Sequence, residues 1–381
     1  MNSNNTENSP WLTLEFLPDK PEEETFGYAF KKNWWGKWQL NSCTKDKLIS
    51  AIEDNPKIKL AFTPDTPKLV PPETIEFLHF NYNRRAISGI KEQLKVAYLS
   101  IVVWGAASVM TLIYAKSFNP VTTLFFFVFG VIPLAMGKYN IHLKRSISFP
   151  EQVEEVLFER WINRRIPRLL TIFVTILITI TILQYSIGMK DSILNAGLVK
   201  DATREGEYWR MGTCAFLHVH WFHIYFNAFA LFYLGKKLTA LCDSSMLSIV
   251  FLISALIGSV FSLLLLPDIT SVGASGGILG IVGFLCVFGF QRKKLLPEVF
   301  LNNIVLSILL ISFLGLMAYK FIDNAAHLGG LLSGFILGYL LLNKRDKRIP
   351  YISNSIVVGA GYVCWITIYL IAAFSMYMIA K

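Results

Sequence analysis

The sequence predicts a polytopic α-helical membrane protein with a small soluble α+β segment in front. Three observations carry that expectation. Only 16% of the 381 residues are charged and 54% are hydrophobic, whereas a soluble domain is about 25% charged. Apolar runs of the length that crosses a bilayer, about 20 residues each, recur from residue 96 onward. The basic residues cluster in alternate connections between those runs, as in a chain threaded repeatedly through a membrane.

Residues 1–94 read as a cytoplasmic soluble domain. Its first ten residues, "MNSNNTENSP", form a polar, disordered tail without the apolar stretch of a cleavable signal peptide. Within it "WLTLEF" and "KIKLAF" have strand character, "KDKLISAIED" has helical character, and "TPDTP" and "VPPE" mark turns. Trp34, Trp35 and Trp38 are expected to form a local core. Residues 95–138 hold two spans, 96–115 and 119–137.

The basic connection 139–168 follows. Ser148 and Glu151 fit a capping box, and Val153, Val156, Leu157 and Trp161 share one helical face. This predicts an amphipathic helix, lying either on the cytoplasmic membrane surface or against the N-terminal domain. Residues 169–342 hold six spans, at 169–187, 213–235, 245–266, 273–290, 298–319 and 324–342. A last span, 355–378, lies within the C-terminal segment 343–381. The outer connection 188–212 carries Leu194, Leu198, Tyr208 and Trp209, too apolar for a solvated loop, and is expected to fold partly into the outer face of the bilayer.

Basic clusters at Arg84–Lys95, Lys138–Arg168, Lys236–Lys237, Arg292–Lys294 and Lys344–Arg348 put the N-terminus in the cytoplasm and the C-terminus outside. The net charge of +10 therefore faces a membrane surface and is not a nucleic-acid footprint. The five scattered cysteines form neither a disulfide framework nor a CxxC metal pair and read as small buried residues. No internal repeat and no mid-span carboxylate suggests a transporter. The polar N-terminus, without organelle targeting, points to a bacterial inner membrane.

Ionisable groups inside spans are costly and mark candidate sites. His223 and Asn227, four apart, project from one helical face. They suit either the stabilisation of a developing oxyanion or hydrogen bonding between helices. Two glycine patterns stand out: Gly273, Gly276, Gly277 and Gly280 in one span, and His327, Gly330, Gly334 and Gly338 in another. Small residues at that spacing let helices approach closely. If these two spans pair, Ser275 and His327 lie together near the outer face. That places an imidazole to act as general base for the hydroxyl and then as acid for a leaving amine. The G-x-S-x-G at Gly273–Gly277 lacks the preceding strand of a soluble nucleophile elbow. No acidic residue is placed to orient the histidine, so the expected arrangement is a dyad.

As a set, these residues resemble the rhomboid family of intramembrane serine proteases. The matching features run in family order: "GEYWR" with Trp209 and Arg210, "FLH" ending at His218, H-x-x-x-N at His223–Asn227, G-x-S-G at Gly273–Gly276, and A-H-x-x-G-x-x-x-G from Ala326 through Gly330 to Gly334. The resemblance covers 169–342 and implies a six-helix rhomboid-like core, here with two extra spans before it and one after. It implies Ser275 as nucleophile and His327 as base, with His223, Asn227 and the Ser275 backbone N–H as the oxyanion hole. It assigns supporting roles to His218, Trp209, Arg210, Gly273, Gly276, Gly330 and Gly334. Span 298–319 and loop 320–324 would form the gate and cap for a transmembrane substrate with small or helix-breaking residues near its outer end. It implies no metal or cofactor. Members often carry Tyr or Phe four residues after the serine, where this chain has Leu279. The alternative function is a catalytically silent relative that binds membrane clients, but such proteins usually lose the serine or histidine and both are present.

The charge pattern gives a topology test. A reporter fused after Lys381 is expected on the outer side of the membrane, and its protection inside would overturn the nine-span count.

Overall fold

The structure is a computed structural model describing residues 9–22, 24–31, 36–55, 57–116, 119–266, 269–317 and 322–381. Most of the expected N-terminal tail, Trp34, Trp35 and part of the expected cap loop lie outside the described residues. The chain divides into two compact units, one holding Pro10–Trp161 and the other Ile162–Lys381.

In the first unit, strands β1 (Phe26–Phe30), β2 (Gln39–Cys43) and β3 (Leu60–Phe62) form an antiparallel sheet in the order β2-β1-β3. Helix α1 (Lys45–Asp54) falls on the segment expected to be helical and buries Leu48 and Ile52. Ala29, Leu60, Phe62 and Leu69 make the sheet's core, with Trp38 packed beside it. "WLTLEF" is not a strand. Thr13 Oγ1 donates to Pro10 O and Leu17 N–H to Leu14 O, closing turns around Leu14 at φ 58°. Burial of Trp11 decides this, because its ring packs edge-on against Phe158 and Trp161 at 4.9 and 5.8 Å.

Helix α2 (Glu76–Ala115) is continuous for 40 residues. The boundary expected at residues 94 and 95 therefore falls inside a helix. The chain returns through α3 (Pro120–Phe125), a π-helical turn (Phe126–Val131) and α4 (Ile132–Ser146). Asn119 caps α3 by accepting from Val121 N–H at 2.9 Å. Pro133, which has no N–H to donate, follows the widened turn. Gly130 in that turn lies against Ile101 of α2, so the two spans touch closely there. Helix α5 (Phe149–Ile162) starts where Glu151 accepts from Ser148 N–H at 2.9 Å. Its buried Phe158 and Trp161 pack against Trp11, Leu157 is buried beside them in sequence, and Arg160 donates to Lys59 O at 3.0 Å. The helix thus packs on Trp11 of the N-terminal segment.

The second unit is helical: α6 (Arg168–Ile187), α7 (Met189–Ala196), α8 (Lys200–Arg204), α9 (Arg210–Thr213), α10 (Trp221–Leu241), α11 (Ser244–Leu265), α12 (Ser275–Gln291), α13 (Glu298–Met317), α14 (Asn324–Leu341) and α15 (Ser355–Ala380). A helix occupies each expected span. The one expected from 213 starts only at Trp221, because residues 214–216 form a tight 3₁₀ turn after α9. By length and composition, seven helices among the described residues can cross a membrane, including α2, the α3–α4 stretch and α15. The protein is a polytopic helical membrane protein.

Helix α12 is apolar on every side and buried, as a central helix must be. It packs against α11 and α14. A Cβ built at Gly330 would strike the Gly276 carbonyl, and one at Gly334 the Gly280 carbonyl. Gly258 of α11 closes the group, since a Cβ there would lie 2.8 Å from Ala326 O. Helix α15 packs on α6 and α11, with Ser248 Oγ donating to Gly361 O at 2.8 Å and Trp365 Nε1 to Ser244 O at 3.0 Å.

Gly330→Ala places a methyl group against a backbone carbonyl that cannot turn aside. It is expected to lower stability by about 1–3 kcal/mol, read as a fall in thermal unfolding temperature in detergent micelles.

Candidate active site

The glycine seam sets the site. Ser275 is the first residue of α12 and His327 lies in the first turn of α14. Gly276, next to Ser275, and Ala326, next to His327, meet directly: a Cβ at Gly276 would lie 3.5 Å from the Ala326 carbonyl. The nucleophile candidate and the imidazole thus flank one inter-helix contact. Among the described residues no hydrogen bond joins the Ser275 hydroxyl to the His327 ring.

The approach to Ser275 needs glycine at one place. Gly273 has φ 128°, its N–H donates to Cys214 O at 2.8 Å, and a Cβ there would sit 2.8 Å from His223 Nε2 and Cε1. The same position is 4.0 Å from Ser275 Oγ. His223 and Ser275 therefore converge on the α-carbon of Gly273. Asn227, one turn further along α10, is buried and donates one amide hydrogen to His223 O at 2.9 Å. Its second amide hydrogen is available to a ligand. A cavity of about 30 Å³ lies beside Ser275 and Gly276, bordered by Cys214, Ser259, Ser262, Ser271 and Asp323. That is room for a water molecule or two.

His218 backs His223. Its ring meets the His223 ring edge-on at 4.9 Å, and its backbone N–H donates to Gln184 Oε1 at 2.9 Å. Arg210 is buried and folds the connection 188–212, donating to Leu194 O and Gly197 O, both at 2.9 Å, and to Glu207. Its guanidinium stacks 4.6 Å over Trp209, whose ring packs edge-on against Phe374 of α15. Gly330 and Gly334 are the seam itself. Leu279 is buried one turn into α12.

Reading the sequence missed several groups. Gln184 is a fully buried amide in an otherwise apolar helix, which was the available signal. Asp323, four residues before His327, is an acid close to the histidine after all. Its carboxylate does not address the ring: Oδ1 accepts from Ala326 N–H at 2.8 Å, capping α14, and Oδ2 accepts from Ser262.

Residues 205–344 match the family model described as Rhomboid domain. RHOMBOID-like protein 6, mitochondrial, of Arabidopsis thaliana is 34% identical over 169 residues, covering 42% of this chain and 52% of that protein. Rhomboid protease GluP of Bacillus subtilis (strain 168) is 33% identical over 163 residues, covering 42% of this chain and 32% of that protein. Putative rhomboid protease YdcA of the same bacterium is 32% identical over 146 residues, covering 38% of this chain and 72% of that protein. The chain thus spans about half the length of the plant relative and a third of GluP.

Gln184→Met keeps the bulk of the side chain and leaves the buried His218 N–H without an acceptor. It is expected to cost about 1–3 kcal/mol of stability, measured by unfolding in mild detergent.

Proposed function

Because the chain belongs to the rhomboid family, we propose that it is an intramembrane serine protease with Ser275 as nucleophile and His327 as general base. The observation that supports this is the Gly276–Ala326 contact, between the chain neighbours of the two residues at the starts of α12 and α14. In the reaction His327 takes the Ser275 proton as Oγ attacks the carbonyl carbon of a peptide bond in or near a transmembrane segment. The tetrahedral oxyanion is stabilised by His223, Asn227 and the Ser275 N–H, the last an unpaired donor at a helix start. His327 then protonates the leaving amine, and water attacks the acyl-enzyme with His327 again as base.

Residues 169–342 form the catalytic core in this reading, and 1–94 a cytoplasmic domain. The N-terminus is cytoplasmic, the C-terminus and active site face outward, and the membrane is a bacterial inner membrane. Substrate helices with small or helix-breaking residues near their outer ends enter beside α13. That helix leans on α12, where a Cβ at Gly289 would lie 3.0 Å from Phe300, and is held to α14 by Asn324 Nδ2 donating to Gly315 O at 2.9 Å.

The test is cleavage of a transmembrane substrate in proteoliposomes. Ser275→Ala and His327→Ala are expected to abolish cleavage and labelling by a fluorophosphonate, and undiminished cleavage by Ser275→Ala would sink the assignment. Asn227→Ala is expected to raise the barrier by about 2–4 kcal/mol; an unchanged kcat would remove it from the oxyanion hole.

A further inference from the structure

We propose that Lys200 and Asp323 are positioning residues for this reaction, joined by a lysine–serine–aspartate chain, buried at its lysine end, that holds the start of α14, and so His327, against the stretch leading into Ser275. The inference rests on the protease reading of the site. Lys200 is only 3% exposed, an unusual place for an ammonium group. Its Nζ donates to Ser271 Oγ at 3.2 Å and, closely, to Ser262 Oγ. Ser262 Oγ in turn donates to Asp323 Oδ2. The two serine hydroxyls are 3.0 Å apart. Burial pulls the Lys200 ammonium below the usual lysine range, and the Asp323 charge works against that shift.

Four elements meet in this chain of contacts. Lys200 opens α8 in the outer connection, Ser262 lies in the last turn of α11, Ser271 precedes α12, and Asp323 caps α14. Ser271 is also paired through its backbone with Leu198, its N–H donating to Leu198 O at 3.3 Å and its carbonyl accepting from Leu198 N–H at 3.0 Å. The stretch into Ser275 is therefore fastened to the outer connection by backbone and by side chain. Asp323 adds the cap to the turn carrying His327, with its charge at the helix end that favours an anion. Ser262, Ser271 and Asp323 all border the cavity beside Ser275. Removing Asp323 leaves the buried Lys200 ammonium without its nearby counter-charge, and removing Lys200 takes the cation from the half-buried end of the chain. The two helix starts then lose their common anchor, and a small misplacement of reacting groups is costly in rate.

The experiment uses Lys200→Met, Asp323→Asn and the double variant, each full length in proteoliposomes with the same transmembrane substrate. Asparagine keeps an oxygen that can cap α14 while removing the charge. Rates are taken per folded molecule, judged by monodispersity and thermal unfolding. Each single variant is expected to lower kcat about tenfold or more while KM stays within about twofold. Fluorophosphonate labelling of Ser275 should slow in parallel. The double variant is expected to be no slower than the worse single, because the two groups act as one unit. Variants with wild-type kcat, or with losses accounted for entirely by unfolded protein, would overturn the positioning role while Ser275-dependent cleavage by the wild type still stood. A wild type without Ser275-dependent cleavage would overturn the protease reading and this inference with it.

Discussion

Two helix backbones in contact set the geometry of everything else in the second unit. Lipid offers no hydrophobic drive to bring membrane helices together, so association rests on close packing and hydrogen bonding. Between α12 and α14 that packing reaches its limit, with the carbonyls of Gly276 and Gly280 lying where side chains at Gly330 and Gly334 would begin. Gly258 brings α11 to the same place, and Ser254 Oγ donates to Ser333 Oγ at 3.2 Å beneath it. Dense interiors transmit displacement instead of absorbing it. The spacing of the α12 and α14 backbones is thereby set by atoms that cannot rotate away.

Around this seam the polar groups are tied in a way that an apolar surround requires. Arg210 satisfies carbonyls left over at the end of α7, and Thr213 Oγ1 donates to Ala196 O at 2.6 Å. Together they turn the connection 188–212 into a folded shelf. Helix α15 contributes from the other side. Its Trp365 and Gly361 take up the serines at the start of α11, and Tyr369 donates to Leu169 O at 3.1 Å on α6. The appended helix is thus part of the frame that holds α6 and α11, and through Phe374 it steadies Trp209.

The helices were legible because each had to be apolar over a bilayer's thickness, and the seam because glycines four apart in two spans have few other uses in lipid. Ser275 opening one stripe and His327 heading the other mark the starts of α12 and α14, the two helices that the seam joins. The Lys200–Ser262–Ser271–Asp323 cluster was not readable: its members come from four segments, with Lys200 and Ser262 separated by 62 positions. Serines and a lysine scattered that widely carry no spacing signal. "WLTLEF" alternated like a strand, but the burial of Trp11 outweighed local preference. The change from soluble segment to first span leaves no break in the backbone. After Pro72 no proline interrupts residues 76–115, so the helix simply continues through the change in polarity.

That continuity has a mechanical side. At 1.5 Å per residue, α2's 40 residues make a rod about 60 Å long, roughly twice the hydrocarbon thickness of a bilayer. Spanning helices tilt to match the thickness of the membrane around them. A change in tilt of about 10° moves the far end of such a rod sideways by roughly 10 Å. A rod of that length converts a small change of tilt into a large displacement at its far end.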